Sequence, residues 1–373
     1  MKKILIFAVV CAALFFAAFP LKSSACTSWM VFSDLTGNNT NILHKNRDSK
    51  TKEIIAFMSS PNAKRKWVAL GSNTAGVNAG INVSGLAGVM NSGERCIDPP
   101  NKADKKYHTP AIMLTILESC DTAKQAVSKL QEIVKSGKYY HHNNGSIFFF
   151  CDTDEGYVCE INAKYCSVQR LDRGYTVRAN IWQNTNMYEL SRSTISSHLH
   201  SSARAYMAIS LLNKAMDENK KITVADSFAA SRHYKMDEKS PMKRSLCGET
   251  TNSGATVEID REYPDVLSVL NVTIGPPRNT VYVPIPVCAE KLHPAMGDFR
   301  WSKAARKHFD KHSFSAPIPE EWSKFETAAV AKMAKAKVEA RKLLKSGKRK
   351  EAVKLLNAVA ESIWNEAAAL LKI

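Results

Sequence analysis

A chain of 373 residues with 45% hydrophobic and 23% charged residues has a globular composition, which excludes a disordered or fibrous protein. It is long enough to bury a sizeable core, in one large domain or two modest ones. The formal net charge is +17, and much of that excess is local, near the C-terminus.

The first 25 residues read as an export signal rather than as part of the fold. Lys2 and Lys3 form a positive start, and Ile4 to Phe19 is uncharged and apolar. Pro20 ends the run, and Ser23-Ser24-Ala25 supplies the small residues of a signal-peptidase cut. The run is shorter than the ~20 residues of a membrane span. Cleavage after Ala25 would make Cys26 the first residue of an exported protein, periplasmic or secreted. A lipoprotein signal also ends before a Cys, but it favours Leu three residues upstream, where this chain has Ser23. The alternative reading is therefore a non-catalytic surface lipoprotein lipidated on Cys26.

From Cys26 to about Pro286 the chain is mostly short β runs separated by turn residues. Cys26 to Phe32, the turn Thr36-Gly37-Asn38-Asn39 and Thr40 to Lys45 read as a hairpin. Ile54 to Met58, Trp67 to Leu70, Val77 to Val83 and Leu86 to Met90 follow as strands. Thr109 to Ser136 has helical periodicity. Ser146 to Cys151, Tyr157 to Ile161, Ser167 to Leu171 and Tyr175 to Ala179 return to strands, and Ser201 to Met216 is a second helix. Ala255 to Ile259, Val266 to Ile274 and Thr280 to Ile285 close the series. Strands with helices between two sets of them imply an α+β layered domain.

The tail differs. Glu320 to Lys345 and Lys348 to Leu371 read as an antiparallel helical hairpin, an appended module after about residue 315. Between Lys332 and Lys354 ten Lys or Arg stand against two acids, Glu339 and Glu351. Such clustering suggests an anionic surface such as phospholipid or cell-wall polymer as partner, with a solvated helix face as the plainer reading. Nucleic acid is not expected. A homo-oligomer is left open.

Of nine cysteines, Cys11 leaves with the signal. Seven besides Cys26 remain, whose pairing spacing alone does not give. There is no CxxC and no His pair at zinc-ligand spacing, so no metal site is expected, and His141-His142 reads as a loop or strand start. Trp29, Trp182 and Trp301 suit core packing better than an acyl pocket.

A Cys at a mature N-terminus carries its own general base. The free α-amino group, with an ordinary pKa of about 7.7–8.0, can take the proton of the thiol. Cys26-Thr27-Ser28, a hairpin turn and Lys45-Asn46-Arg47-Asp48 resemble the opening of the cysteine N-terminal-nucleophile (Ntn) hydrolases. That superfamily includes choloylglycine hydrolases, penicillin V acylases and acyl-coenzyme A:6-aminopenicillanate acyltransferases. Ala79-Gly80-Ile81-Asn82-Val83-Ser84-Gly85-Leu86 resembles its G-[IM]-N-x-x-G-L turn, with Asn91 following. Arg178-Ala179-Asn180, Ser201-Ser202-Ala203-Arg204 and Gly275-Pro276-Pro277 through Tyr282-Val283 continue the similarity, which covers roughly Cys26 to Val287.

The resemblance implies a four-layer αββα sandwich. It implies Cys26 as nucleophile and Asp48 holding the nucleophile's amine. It also implies Asn91 and Asn180 at the oxyanion and Arg204 supporting the charge network. The reaction would be hydrolysis of a linear C–N amide in a small molecule through a thioester, or acyl transfer to an amine, without metal or organic cofactor. The bile-salt branch has Arg where this chain has Lys45, which replaces a bidentate contact by a point charge and leaves the substrate open.

Overall fold

The computed structural model describes residues 26–72, 76–98, 107–141, 144–234 and 245–373. The expected export signal and His142 lie outside them. The chain forms β1 (Thr27–Val31), β2 (Thr40–Asp48), β3 (Ile54–Met58), β4 (Trp67–Ser72), β5 (Gly76–Asn82), β6 (Ala87–Arg95) and β7 (Tyr107–His108). Helices α1 (Thr109–Ser119) and α2 (Ala123–Lys135) precede β8 (Tyr139–Tyr140), β9 (Asn144–Cys151), β10 (Gly156–Ile161), β11 (Cys166–Leu171) and β12 (Tyr175–Arg178). Helices α3 (Ile195–Asn219) and α4 (Val224–Ser231) come next, then β13 (Thr251–Asp260), β14 (Val269–Thr273) and β15 (Val283–Pro286). Helices α5 (Arg300–His312), α6 (Glu320–Lys345) and α7 (Arg349–Leu371) end the chain.

The strands make two antiparallel sheets, in the orders β12-β1-β2-β13-β14-β15 and β11-β10-β9-β6-β5-β4-β3. Period-two side-chain alternation stacks them. On β9, Ile147, Phe149 and Cys151 enter the core between the sheets, while Phe148 and Phe150 pack beneath α1 and α2. On β1, Met30 points between the sheets and Trp29 and Val31 meet α3. The result is the expected four-layer α+β sandwich, helix–sheet–sheet–helix. Trp29, Trp182 and Trp301 are all core residues, at most 1% exposed.

The β5–β6 turn shows how local chemistry fixes this frame. Gly85 sits at φ +83°, a left-handed value open to glycine. The Asn82 Oδ1 accepts from the Ser84 and Leu86 amides, and its Nδ2 donates to the carbonyls of Leu117 and Cys120. One buried side chain thus shapes the turn and holds the C-terminus of α1.

Several boundaries differ from the sequence reading. The helix expected over Thr109 to Ser136 is two helices, because Thr122 caps α2 by accepting from the Gln125 amide and Asp152 accepts from the Ala123 amide. Helix α3 starts six residues earlier than the Ser201 expected, behind a Thr194 cap. Helix α4, begun by a Thr223/Asp226 capping box, and α5 were not foreseen. The strand expected from Val266 starts at Val269, after a helical turn at Pro264–Leu267. The strand expected from Thr280 starts at Val283.

The C-terminal hairpin is not an appended module. Trp322, Ala329, Met333, Leu356, Ile363 and Trp364 share one core with β14 and β15. On β13, Glu258 and Asp260 face away from the inter-sheet core and pair with Lys337 and Arg341 of α6. The hairpin therefore completes the helical layer over the first sheet. Seven of the ten clustered cations, Lys332, Lys337, Arg341, Lys342, Lys345, Lys348 and Arg349, make ion pairs. Half of the ten, Lys332, Lys337, Arg341, Lys345 and Arg349, are met by acids distant in sequence.

Candidate functional site

Cys26 stands at the head of β1, 5% exposed. Its thiol points to the Asp48 carbonyl oxygen at 3.9 Å, across the β1–β2 pair. The register sets Thr27 opposite Asn46 and Ser28 opposite Lys45. Alternation then sends Ser28 and Lys45 between the sheets, and Thr27 and Asn46 towards α3 and α4.

Each face is held by buried polar contacts. On the helix side, the Asn46 Nδ2 donates to the carbonyls of Ser231 and Leu246 and its Oδ1 meets His44 at 3.1 Å. Burial lowers the pKa of His44 to about 3, so its ring, stacked on Trp29, is neutral. Arg204 reaches down from α3. Its Nη1 donates to the Cys26 carbonyl at 2.6 Å and to Thr27 Oγ1 at 2.9 Å, and its Nη2 donates to Asn180 Oδ1 at 3.0 Å.

Between the sheets, the Lys45 ammonium lies beside the Cys26 thiol. It donates to the Met90 carbonyl and, at 2.9 Å, to Asn91 Oδ1. Burial lowers its proton affinity, which the nearby Cys26 partly restores.

The five residues expected from sequence thus converge, with unequal roles. Cys26, Asn180 and Arg204 form one hydrogen-bonded chain. Asp48 meets the thiol through its backbone, and its side chain lines the cavity above Cys26. Asn180 spends one Nδ2 hydrogen on the Ser92 carbonyl at 2.8 Å. Asn91 is fully committed elsewhere. Its Nδ2 donates to the Arg178 and Ala179 carbonyls, and its Oδ1 accepts from Ser28 and Lys45. That geometry does not match the oxyanion donor expected of Asn91, because neither N–H is left for a ligand; it suits orienting Lys45.

The cavity measures ≈ 260 Å³, and its lining includes Cys26, Lys45, Arg47, Asp48, His108 and His141. Sequence reasoning did not single out Lys45, Arg47, His108 or His141 as site residues. The first two could have been found by alternation along β2, which puts Lys45 and Arg47 on one face of the strand, opposite to Asn46. The histidines arrive from β7 and the segment after β8, which only the tertiary fold brings here. Among the described residues no cluster of His, Cys, Asp or Glu suits a metal, and the eight described cysteines are free thiols.

Three residues beyond Asn91, Glu94 is 3% exposed and pairs with His198 at 3.1 Å. Burial raises its pKa from 4.5 to about 7. Folding therefore favours the protonated form, and that advantage is lost as pH rises through about 7. Glu94→Gln should gain stability relative to the parent between pH 5 and pH 8, by roughly 2–3 kcal/mol. Denaturant midpoints at the two pH values check this; a difference that does not change with pH would refute it.

The fold is that of the Ntn-hydrolase superfamily. The family described as acyl-coenzyme A:6-aminopenicillanic acid acyl-transferase matches residues 35–240, more than half of the chain, and the chain belongs to that family. No curated protein sequence matches the chain. Among solved structures, a mutant of conjugated bile acid hydrolase from Clostridium perfringens is 10% identical with a TM-score of 0.46, over 70% of this chain and 92% of that one. Penicillin V acylase from Agrobacterium tumefaciens is 13% identical with a TM-score of 0.45, over 70% of this chain and 86% of that one.

Proposed function

We propose that the protein is exported, loses residues 1–25, and acts from Cys26 as an amidase or acyltransferase on a linear C–N bond in a small molecule. The observation that carries this reading is the Cys26 thiol at the head of β1, opening on the ≈ 260 Å³ cavity with its carbonyl clamped by Arg204. Membership of the acyltransferase family supports the acyl chemistry.

In this reading the α-amine released by cleavage takes the thiol proton, and sulfur bonds to the amide carbon. The oxyanion is met by the second N–H of Asn180, whose first is held by the Ser92 carbonyl. The ammonium then protonates the leaving nitrogen, the C–N bond breaks, and a thioester remains. Water completes hydrolysis and an amine completes transfer. Asp48 holds the amine, and Lys45 lies beside the sulfur.

Intact mass with N-terminal sequencing of protein recovered outside the cytoplasm tests the reading. A chain starting at Cys26 with a free amine is expected. A lipid mass on Cys26 would establish an anchored lipoprotein instead, since a blocked amine cannot serve as base. Residues retained ahead of Cys26 in active protein would overturn the mechanism.

A further inference from the structure

The cavity above Cys26 is small and electrically unbalanced. Lys45 and Arg47 line it, and Arg204 lies directly beneath Cys26, whereas Asp48 is the one carboxylate among its described lining residues. Lys45 is satisfied by Met90 and Asn91. Arg47 is not. It is 7% exposed, and its Nη1 is buried with no hydrogen-bond partner among the described residues. A buried guanidinium nitrogen left without an acceptor is costly, and the planar fork of the group suits a carboxylate. Burial lowers its proton affinity, the response of a cation short of counter-charge.

We propose that Arg47 is a specificity-determining residue that captures a carboxylate carried by the substrate, so that the enzyme acts on short anionic amides. This rests on the amidase reading above. A volume of ≈ 260 Å³ lies below the 300–1,000 Å³ of sites for drug-sized ligands, and its lining of cations, histidines and hydroxyls is unsuited to a long alkyl or steroid acyl group. The carboxylate can belong to either side of the scissile bond. It is on the amine side in an N-acetyl amino acid, and on the acyl side in the succinyl amide of a neutral amine.

Two measurements separate this inference from the reading beneath it. The first compares wild-type and Arg47→Met enzyme on each acid and on its methyl ester. Arg47→Met should raise KM for the acid on the order of 100-fold and leave kcat/KM for the ester unchanged; the series showing the effect locates the carboxylate. Equal losses on acid and ester would mean that Arg47 serves the thiolate alone, and no change would mean that it is idle. Either result overturns the proposal.

The second titrates succinate and an N-acetyl amino acid into Cys26→Ala protein by calorimetry, with and without Arg47→Met. Binding that Arg47→Met abolishes supports the anion site even if no amide is turned over, in which case the amidase reading alone fails. Absence of binding with intact Arg47 overturns the anion site while leaving that reading to its own test.

Discussion

Cys26→Ala is expected to remove amide turnover by ~10⁴-fold or more, the scale seen when a nucleophile is deleted, with the fold intact. The side chain is small, and its loss leaves the Arg204 contact to the Cys26 carbonyl in place. Six of the seven other described cysteines are chemically unsuited to substitute: burial pushes the thiol of Cys96 up to about 11 and those of Cys247 and Cys288 up to about 12. Cys120, Cys151 and Cys159 are raised by burial as well, so all six stay protonated near neutrality. Cys26→Ser sharpens the test, because a hydroxyl keeps the shape while giving up acidity, and it should retain only a small fraction of the rate. Circular dichroism and thermal unfolding of both variants control for folding. Turnover retained in Cys26→Ala would end the nucleophile reading, whatever the N-terminus proves to be.

How far this protein can be read from its sequence depends on the range of the interactions involved. The strands of β1, β2, β9 and β10 were legible because alternation of apolar residues is local and each hairpin carries its own turn. The break between α1 and α2 was also written locally, in Asp121 and Thr122, but apolar periodicity running through both helices hid it. Helix α5 was missed because its charged surface outweighs its few buried residues, Trp301, Ser302 and Ala305.

The site shows the same division. Cys26 and Asp48 follow from position along one hairpin, and Asn180 and Arg204 from spaced motifs. The hydrogen bonds of Asn91 could not be read that way, since they reach from β6 across to Lys45 on β2 and to the Arg178 and Ala179 carbonyls at the end of β12, in the other sheet. Local charge counting leaves out long-range partners for a related reason. A window from Lys332 to Lys354 contains cations whose partners, Glu258, Asp260, Glu262 and Asp265, lie about 80 residues earlier on and after β13.

Glu326→Ala should destabilise the whole protein by about 3–5 kcal/mol, the cost of leaving a buried charge without its partner. Glu326 lies on α6, 7% exposed, and takes both Nη groups of Arg232 as well as the Tyr282 amide. The remaining Arg232 donors go to the Pro277 and Thr280 carbonyls, so the guanidinium cannot turn to water when the carboxylate is removed. The pair joins three parts of the fold: the end of α4, the approach to β15, and the C-terminal hairpin.

A hairpin that merely hung from the sandwich would let Glu326→Ala pass with less than about 1 kcal/mol, as surface pairs do. Denaturant unfolding distinguishes the two, and a single cooperative transition in the parent is expected because the hairpin shares the core. Arg232→Met combined with Glu326→Leu should recover much of the loss, since an apolar pair of similar volume removes both desolvation costs at once. If the double variant is as unstable as Glu326→Ala, the loss comes from the Tyr282 amide rather than from the stranded cation, and the pair is not what holds the hairpin to the sheet.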